Sequence, residues 1–376
     1  MQRFTHALGI GLLILALVDI FLTVLYPRSG KGWLSVPLSV GLWKLFRTLA
    51  NLPLGQQRRD RGRFLSFCGP FLLVLVVSVW ILLLLLGFAF LIWSALGTEI
   101  QASQPPTPTT FTAALYYSGY SLTTLGFGDL VPKTDAYRLL TVFEATVGFA
   151  VFTLTITYLV AVYGALQQRN IFALSLHHRT SGTADAAELV ARMGVGGQFH
   201  NSLAEITQIS QDALSLLESH HAHPVLPYFR FKEEYYALAR VVLIVMDTAT
   251  IIRTALDEKR YRFLIRSTAV AELGDGGQHL LVELVNSFLP YACIADKGQP
   301  EIILRSWYYQ IIDRLQREGI ETITDIETGA ALYVALRQSW EPYVMAIADY
   351  MSYDWSEIAP AEFSRVSYPA QSIHNA

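Results

Sequence analysis

The sequence predicts an all-α membrane protein followed by a second, all-α part outside the membrane. Of its 376 residues, 52% are hydrophobic and only 16% are charged, which is too apolar for a soluble protein of this length. The apolar residues are concentrated in residues 1–166, which contain 11 Lys and Arg against 6 Asp and Glu. Residues 167–376 contain 17 Lys and Arg against 25 Asp and Glu. This acidic part argues against a nucleic acid as a partner.

Three stretches are long and apolar enough to cross a bilayer as helices, namely residues 8–26, 64–98 and 139–166. The first gives an N-terminal transmembrane helix at 1–27. A signal peptide is the alternative there, although no small-x-small cleavage site follows. Asp19, the one charge in this span, is either an ionic contact or protonation switch, or a hydrogen-bonded structural residue. We favour the structural role.

Residues 28–66 form a basic segment between the first two spans. Eight Lys and Arg and a single Asp lie within residues 27–63. By the positive-inside rule this segment faces the cytoplasm, which places the N-terminus outside and the domain at 167–376 in the cytoplasm. Residues 33–49 have the composition of an amphipathic helix that lies on membrane lipid. The arginines at 58–63 either bind anionic lipid or simply flank the second span.

The segment between the second and third spans carries the candidate chemistry. Residues 111–122 are apolar but too few to cross a bilayer, and after a threonine cap they predict a re-entrant pore helix at 110–122. Residues 123–129 follow as TTLGFGD. Glycines at alternate positions allow backbone angles that point successive carbonyl oxygens to one side. A ring of such oxygens from several chains could replace the water around a cation.

Residues 115–129 read LYYSGYSLTTLGFGD and resemble the pore loop of the potassium channel superfamily, which reads LWWSxxTxTTVGYGD in simple bacterial members. The resemblance covers residues 67–166 as outer helix 67–97, pore helix 110–122, filter 123–129 and inner helix 139–166. It implies a pore built from four identical chains, so that each chain has three further copies as partners, with K⁺ as the permeant ion and no other cofactor. It assigns the outer mouth to Asp129 and the ion ligands to Thr124, Leu125, Gly126, Phe127 and Gly128.

The pore loop departs from the family pattern around the filter. On the resemblance, Tyr116 and Tyr117 replace the paired tryptophans that brace the filter, and Tyr120 stands where some bacterial channels have a glutamate. Phe127 lacks the hydroxyl with which tyrosine ties the filter to these braces. Selectivity for K⁺ is the first expectation, and a nonselective cation channel is the alternative.

The third span contains the expected gate. Gly148, 20 residues after Gly128, is the expected bend point. A small, polar face (Thr146, Ala150, Thr153, Thr157, Ala161 and Gly164) competes with an apolar face to line the conduction path. The resemblance favours the apolar face, made of Phe149, Phe152, Ile156 and Val160.

Residues 167–376 predict a helical regulatory domain that responds to an unknown gating ligand. Helical periodicity covers 199–217, 232–256, 279–289, 300–317 and 328–351, with breaks at 194–197, 224–227, 274–277, 290 and 298–300. No run of strands indicates a nucleotide-binding module. The apolar run at 241–246 is either a fourth span or, as we favour, a buried helix.

Other functions find little support in the sequence. His220, His221 and His223 could bind metal or sense pH, but a solvated helix end is the favoured interpretation. No catalytic constellation is present, so we do not expect an enzyme. A membrane-anchored signalling protein with a vestigial pore is the remaining alternative.

Overall fold

The computed structural model describes residues 2–26, 32–52, 58–289 and 298–360. Parts of the predicted basic segment (27–31 and 53–57) and the predicted break at Pro290 lie outside these ranges. The chain divides into two compact units. The first unit comprises Met1–Leu45, Cys68–Gly164 and His221–Val225, and the second comprises Phe46–Phe67, Ala165–His220 and Leu226–Ala376. Almost all of the described secondary structure is helical, which confirms the predicted class.

Six helices and one small sheet lie in the described parts of residues 2–179. In chain order they are α1 (Gln2–Ile20, continued by a π-helical turn at Phe21–Leu25), α2 (Ser35–Ala50), α3 (Arg58–Ser66), α4 (Cys68–Trp93), β1 (Ile100–Ala102), α5 (Phe111–Leu122), β2 (Leu130–Pro132) and α6 (Asp135–Arg179). Among the residues that the structure describes, three helical stretches are long and apolar enough to cross a membrane, at Arg3–Leu25, Arg61–Trp93 and Asp135–Arg179.

Helices α1 and α4 pack against each other in antiparallel directions. His6 Nε2 lies 2.5 Å from Ser94 Oγ near the start of α1 and the end of α4. Further along, a Cβ atom placed on Gly9 would lie 2.7 Å from the carbonyl oxygen of Gly87. Only glycines allow two backbones to approach this closely, as small residues do at helix contacts in lipid.

Asp19 is fully buried and hydrogen-bonded. Its Oδ1 accepts from the backbone N–H of Leu34 (2.7 Å) and of Ser35 (3.3 Å), and its Oδ2 accepts from Trp80 Nε1 (2.7 Å). These donors include the otherwise unpaired amides at the start of α2. The structure therefore favours the structural role for Asp19, which joins α1, α2 and α4.

The outer helix is shorter than the predicted 67–97, because it ends at Trp93. Gly97 then adopts a left-handed φ of +87°, and the chain turns back into β1. Strand β1 pairs with β2 in an antiparallel ladder with Gln101 opposite Val131. The sequence predicts only a loop here, since strands of three residues are too short to show an alternating pattern.

The inner helix is longer at both ends than the predicted 139–166. Helix α6 has 45 residues and begins at Asp135, an acidic residue that favours the positive end of the helix dipole. No glycine or proline interrupts the chain between Leu166 and Arg179, so the helix continues to Arg179, after which Ser181 and Gly182 take positive φ angles of 52° and 80°.

The second unit is a bundle built around one buried helix. Its helices after α6 are α7 (Ala186–Met193), α8 (Ser202–Ala222), α9 (Leu238–Ala255), α10 (Glu258–Ile265), α11 (Thr268–Phe288), α12 (Glu301–Arg317), α13 (Ile326–Tyr350) and α14 (Trp355–Ile358). Every residue of α9 except Arg253 is buried. The apolar run at 241–246 thus belongs to a core helix, as favoured above.

The predicted break at 274–277 is wrong, because α11 runs through it without interruption. A Cβ atom on Gly277 would lie 2.7 Å from Met246 Sδ, and one on Gly274 would lie 2.8 Å from Arg253 Nη2. These glycines allow α11 to pack closely on α9, and this packing offsets the cost of about 1 kcal/mol that glycine imposes in a helix.

A buried ionic network joins α9 to α13 at the centre of the second unit. Arg337 is fully buried and donates to Asp247 Oδ2 (2.6 Å) and to Glu341 Oε1 (2.9 Å). Burial opposes the charge on Arg337, but the facing Asp247 and Tyr333 oxygens outweigh it and raise the pKa of the guanidinium. Removal of one member would leave an uncompensated buried charge, so this network fixes the pairing of the two helices.

Candidate functional site

Helix α5 ends at Leu122, directly before the filter segment at 123–129. Thr110 caps its start, with Oγ1 accepting from Ala113 N–H at 3.2 Å. At its end, the backbone N–H of Thr124 donates to Ser121 O (3.0 Å) and that of Leu125 donates to Tyr120 O (2.8 Å). These bonds pair two of the last carbonyls of α5 and fix the first filter residues to the helix.

The filter backbone alternates in handedness. Thr124, Gly126 and Gly128 have φ angles of 60°, 59° and 74°, whereas Leu125 and Phe127 do not have positive φ. Among the described residues, no donor bonds the backbone carbonyl oxygens of residues 124–127. The side chains of Leu125 and Phe127 are 65% and 63% exposed in the single chain. Four successive carbonyl groups are therefore available as ligands for a cation.

Two tyrosine rings contact Phe127. Its ring stacks on Tyr116 at 6.1 Å between centroids and meets Tyr120 edge-on at 5.9 Å. Tyr120 OH donates to Leu130 O (2.7 Å), and Tyr117 OH lies 2.6 Å from Thr141 Oγ1. The three tyrosines named from the sequence thus lie together around the filter and connect it to β2 and α6.

The loop after β1 holds the outer end of the filter. Ser103 Oγ donates to Gly128 O (2.6 Å), and the Ser103 N–H donates to Asp129 O (2.8 Å). The Asp129 carboxylate accepts from the Leu130 N–H at 3.0 Å. Sequence reasoning missed Ser103, because its position depends on the pairing of β1 with β2.

A buried carboxyl group lies behind the pore helix. Ser118 Oγ lies 2.5 Å from Glu144 Oε1 and 3.3 Å from Leu85 O, so this cluster joins α4, α5 and α6. Glu144 is fully buried. Its Oε2 has no hydrogen-bond partner within the described ranges. The sequence signal that could have identified this residue is its status as the one acidic residue within the third span.

Gly148, the predicted bend point, lies in an uninterrupted part of α6. A Cβ atom placed there would lie 1.9 Å from the backbone carbonyl oxygen of Leu122, the last residue of α5. Gly148 is therefore the point at which the inner helix touches the end of the pore helix.

Both competing faces of α6 are exposed in the single chain, as is every residue of the predicted apolar gate (Phe149, Phe152, Ile156 and Val160). On the other face, the Thr153 hydroxyl donates to Phe149 O (3.0 Å) and the Thr157 hydroxyl donates to Thr153 O (3.0 Å). These threonines satisfy their hydroxyl groups within the helix, so they present a surface suited to close packing.

The part of α6 beyond residue 164 belongs to the second unit, within which Arg169 anchors it. This side chain is 3% exposed. It donates to Leu226 O (3.0 Å) and Phe229 O (2.6 Å), and its guanidinium lies 5.4 Å from the centre of the Phe231 ring. Charge-assisted hydrogen bonds of this kind are among the stronger single contacts in proteins.

A second buried arginine extends this contact. Arg230 donates to Gly62 O in α3 (3.0 Å) and to Met351 O after α13 (3.1 Å), with its guanidinium 4.1 Å from the centre of the Tyr353 ring. We call Arg169 and Arg230 the arginine clamp. It ties the inner helix to the segment that leads into the outer helix and to the end of α13.

The histidines do not form a metal site in the described part of the chain. No group of three His, Cys, Asp or Glu side chains there is arranged to hold a metal ion. His220 Nδ1 lies 2.8 Å from Leu216 O within its own helix, and the His223 ring meets the Tyr158 ring at 5.9 Å.

Comparisons with known proteins agree with this geometry. A family model described as an ion channel matches residues 74–164. An uncharacterized membrane protein, YdjJ of Bacillus subtilis (strain 168), is 30% identical over 254 residues, which cover 67% of this chain and 70% of that protein. That alignment is longer than residues 74–164, so the similarity extends beyond the pore loop and its two helices. No solved structure matches the chain.

Proposed function

This chain belongs to the ion channel family with a two-helix, potassium channel-like pore domain, and we propose that it is a potassium-selective channel. The observation that carries the proposal is the alternating backbone at Thr124, Gly126 and Gly128, where four successive carbonyl oxygens accept from no donor in the described part of the chain. A ring of these oxygens can replace the hydration shell of K⁺. The tyrosines packed on Phe127 support a filter of fixed width.

We infer that four copies assemble around one axis. One chain supplies a single pore loop, and a closed ring of identical chains is the usual solution for a soluble or membrane homo-oligomer. The exposure of Leu125, Phe127 and both faces of α6 supports further copies as neighbours. In this assembly the apolar face lines the axis, and the threonine face packs between neighbouring chains.

The second unit then lies in the cytoplasm and the N-terminus outside. The basic segment between the first two spans supports this orientation. The antiparallel packing of α1 on α4 fits it, because His6 and Ser94 then lie at the same, outer end of the two helices. Passive flux through the pore needs no enzymatic step.

The direct test is ion flux through the purified full-length protein in lipid vesicles, measured as the bi-ionic reversal potential of K⁺ against Na⁺. A strong preference for K⁺ is expected. Near-equal permeability would favour the nonselective cation channel. Absence of flux across a panel of pH, Ca²⁺ and nucleotide conditions would favour a signalling protein with a vestigial pore.

A hydrophobic constriction in α6 should set the resting conductance. We expect Phe152→Ser and Ile156→Ser each to raise the open probability in single-channel recordings, because a polar side chain keeps a narrow pore wet. Leu139→Ser, at an exposed position near the start of the same helix, is the control and should not alter the open probability. Unchanged gating in both variants would place the constriction elsewhere.

The arginine clamp should couple the second unit to this constriction. We expect Arg169→Gln to raise the open probability about tenfold or more, because hydrogen bonds to a charged group contribute about 1.5–3 kcal/mol and a tethered helix resists widening of the pore. The K⁺ to Na⁺ permeability ratio should not change.

The control for this variant is Arg179→Gln on the same helix. Arg179 pairs with Glu205 at 3.3 Å but is only partly buried. Exposed pairs of this kind contribute little. Equal effects of the two substitutions on open probability would contradict a specific coupling role for Arg169.

A further inference from the structure

We propose that Ser103, in the loop between β1 and α5, is a positioning residue that keeps the outer end of the filter in its conducting geometry. The inference rests on the proposed function and deepens it, because it assigns to a residue outside the pore loop a role at the outermost ion site.

Ser103 binds two successive carbonyl groups of the filter. Its hydroxyl donates to Gly128 O at 2.6 Å, and its backbone N–H donates to Asp129 O at 2.8 Å. The pairing of Ala102 with Leu130 brings Ser103 directly opposite these groups. Thr107 closes the loop from the other side, with its Oγ1 accepting from the Ala102 N–H at 3.0 Å. The two hydrogen bonds from Ser103 therefore form part of an ordered loop that is attached to the filter.

The Gly128 carbonyl needs such a connection because neither Phe127 nor Gly128 can donate a hydrogen bond from its side chain. Phe127 packs against two tyrosine rings but carries no hydroxyl group. Gly128 has a φ of +74° and no Cβ atom, so its peptide can rotate at little energetic cost. Without the Ser103 hydroxyl, the Gly128 carbonyl would be free to turn away from the conduction path.

The contact with Ser103 also makes the outermost site unlike the inner ones. The carbonyl oxygens of residues 124–127 accept from no donor within the described ranges, whereas Gly128 O accepts from a hydroxyl. A carbonyl oxygen has two lone pairs, so Gly128 O can accept from Ser103 and still coordinate an ion. Ser103 thus determines how long the Gly128 carbonyl keeps its orientation when the K⁺ concentration on the outer side is low.

The test is a comparison of full-length wild-type protein with Ser103→Ala and Ser103→Thr in planar bilayers. With low K⁺ on the outer side, we expect the current of Ser103→Ala to decline about fivefold faster than that of the wild type, the effect of losing one hydrogen bond. High outer K⁺ should slow this decline, since a bound ion holds the carbonyls. Ser103→Thr keeps the hydroxyl and should restore wild-type kinetics.

Gln101→Ala is the matched control. Gln101 lies in β1 and donates to Thr98 O (3.0 Å), away from the filter, so its loss should not change the decline. Elution of every variant as the same oligomer would exclude misfolding as the cause.

The outcomes separate this inference from the proposed function. A potassium-selective wild-type current that Ser103→Ala leaves unaltered would overturn the role of Ser103 alone. Equal acceleration by Ser103→Thr would also overturn it, because the hydroxyl would then not be the active group. Absence of potassium current in the wild type would overturn the proposed function and this inference with it.

Discussion

Replacement of Gly126 by alanine is expected to abolish selective potassium flux. Gly126 has a φ of +59°, and a Cβ atom placed on it would have no neighbour within 4 Å in the chain. The substitution therefore adds backbone strain and no clash. A left-handed conformation costs an L-residue about 1–2 kcal/mol, and in a ring of four chains this strain acts at four adjacent positions. The filter should relax from the alternating conformation and lose its ordered carbonyl oxygens.

The measurement is the reversal potential of K⁺ against Na⁺, together with the unidirectional K⁺ flux. Gly119→Ala is the control, because Gly119 lies in α5 and its Cβ atom would meet only Leu85 Cδ1 at an ordinary 3.7 Å. Alanine favours a helix, so this variant should conduct as the wild type does. Undiminished selective flux in Gly126→Ala would contradict the assignment of the filter.

The alternating backbone of the filter could be read from the sequence because it is a local property. The glycines at positions 126 and 128 predict positive φ angles, and the structure has them at both positions. Thr124 also adopts a positive φ of 60°, although it is not a glycine. The short apolar run before them similarly predicts a helix at Phe111–Leu122. Segments of this kind are determined by residues close in the chain, so periodicity and glycine placement suffice.

The supports of the filter could not be predicted, because they join distant parts of the chain. Ser103 lies 25 positions before Gly128, and Ser118 lies 26 positions before Glu144. Neither contact has a periodic signature. The Ser103 contact depends on a three-residue ladder, and the Ser118 contact depends on the rotation of α6 against α5. The sequence predicts only a loop around Ser103, and Glu144 stands out in it only as the one acidic residue within the third span.

Glycines inside a helix explain why the predicted break at 274–277 is wrong. A glycine in a helical pattern indicates either a weak point or a place of close contact, and the chain alone does not distinguish the two. At Gly274 and Gly277 the structure shows close contact with α9 instead of a break. Gly148 has the same character, since it faces the backbone of Leu122 within a continuous helix.

A contact role and a hinge role for Gly148 predict different results for the substitution Gly148→Ala. If Gly148 is a bend point, Gly148→Ala should stiffen α6 and change the open probability while the filter keeps its selectivity. If Gly148 is a contact point, the added methyl group meets a backbone oxygen at 1.9 Å, and α5 must shift. Overpacking of this kind costs about 1–3 kcal/mol per chain or more. We expect the second result, with loss of both K⁺ selectivity and stable assembly.

Gly164→Ala provides the comparison within the same helix. A Cβ atom there has no neighbour within 4 Å in the chain, so the variant stiffens α6 without touching α5 and should keep its K⁺ to Na⁺ permeability ratio. Truncation of the Leu122 side chain should not rescue Gly148→Ala, because the nearest obstructing atoms are the backbone oxygen and carbon of Leu122. Retained selectivity in Gly148→Ala would restore the hinge. Its loss, without rescue by Leu122→Ala, would establish that the inner helix fixes the end of the pore helix and, through it, the first residues of the filter.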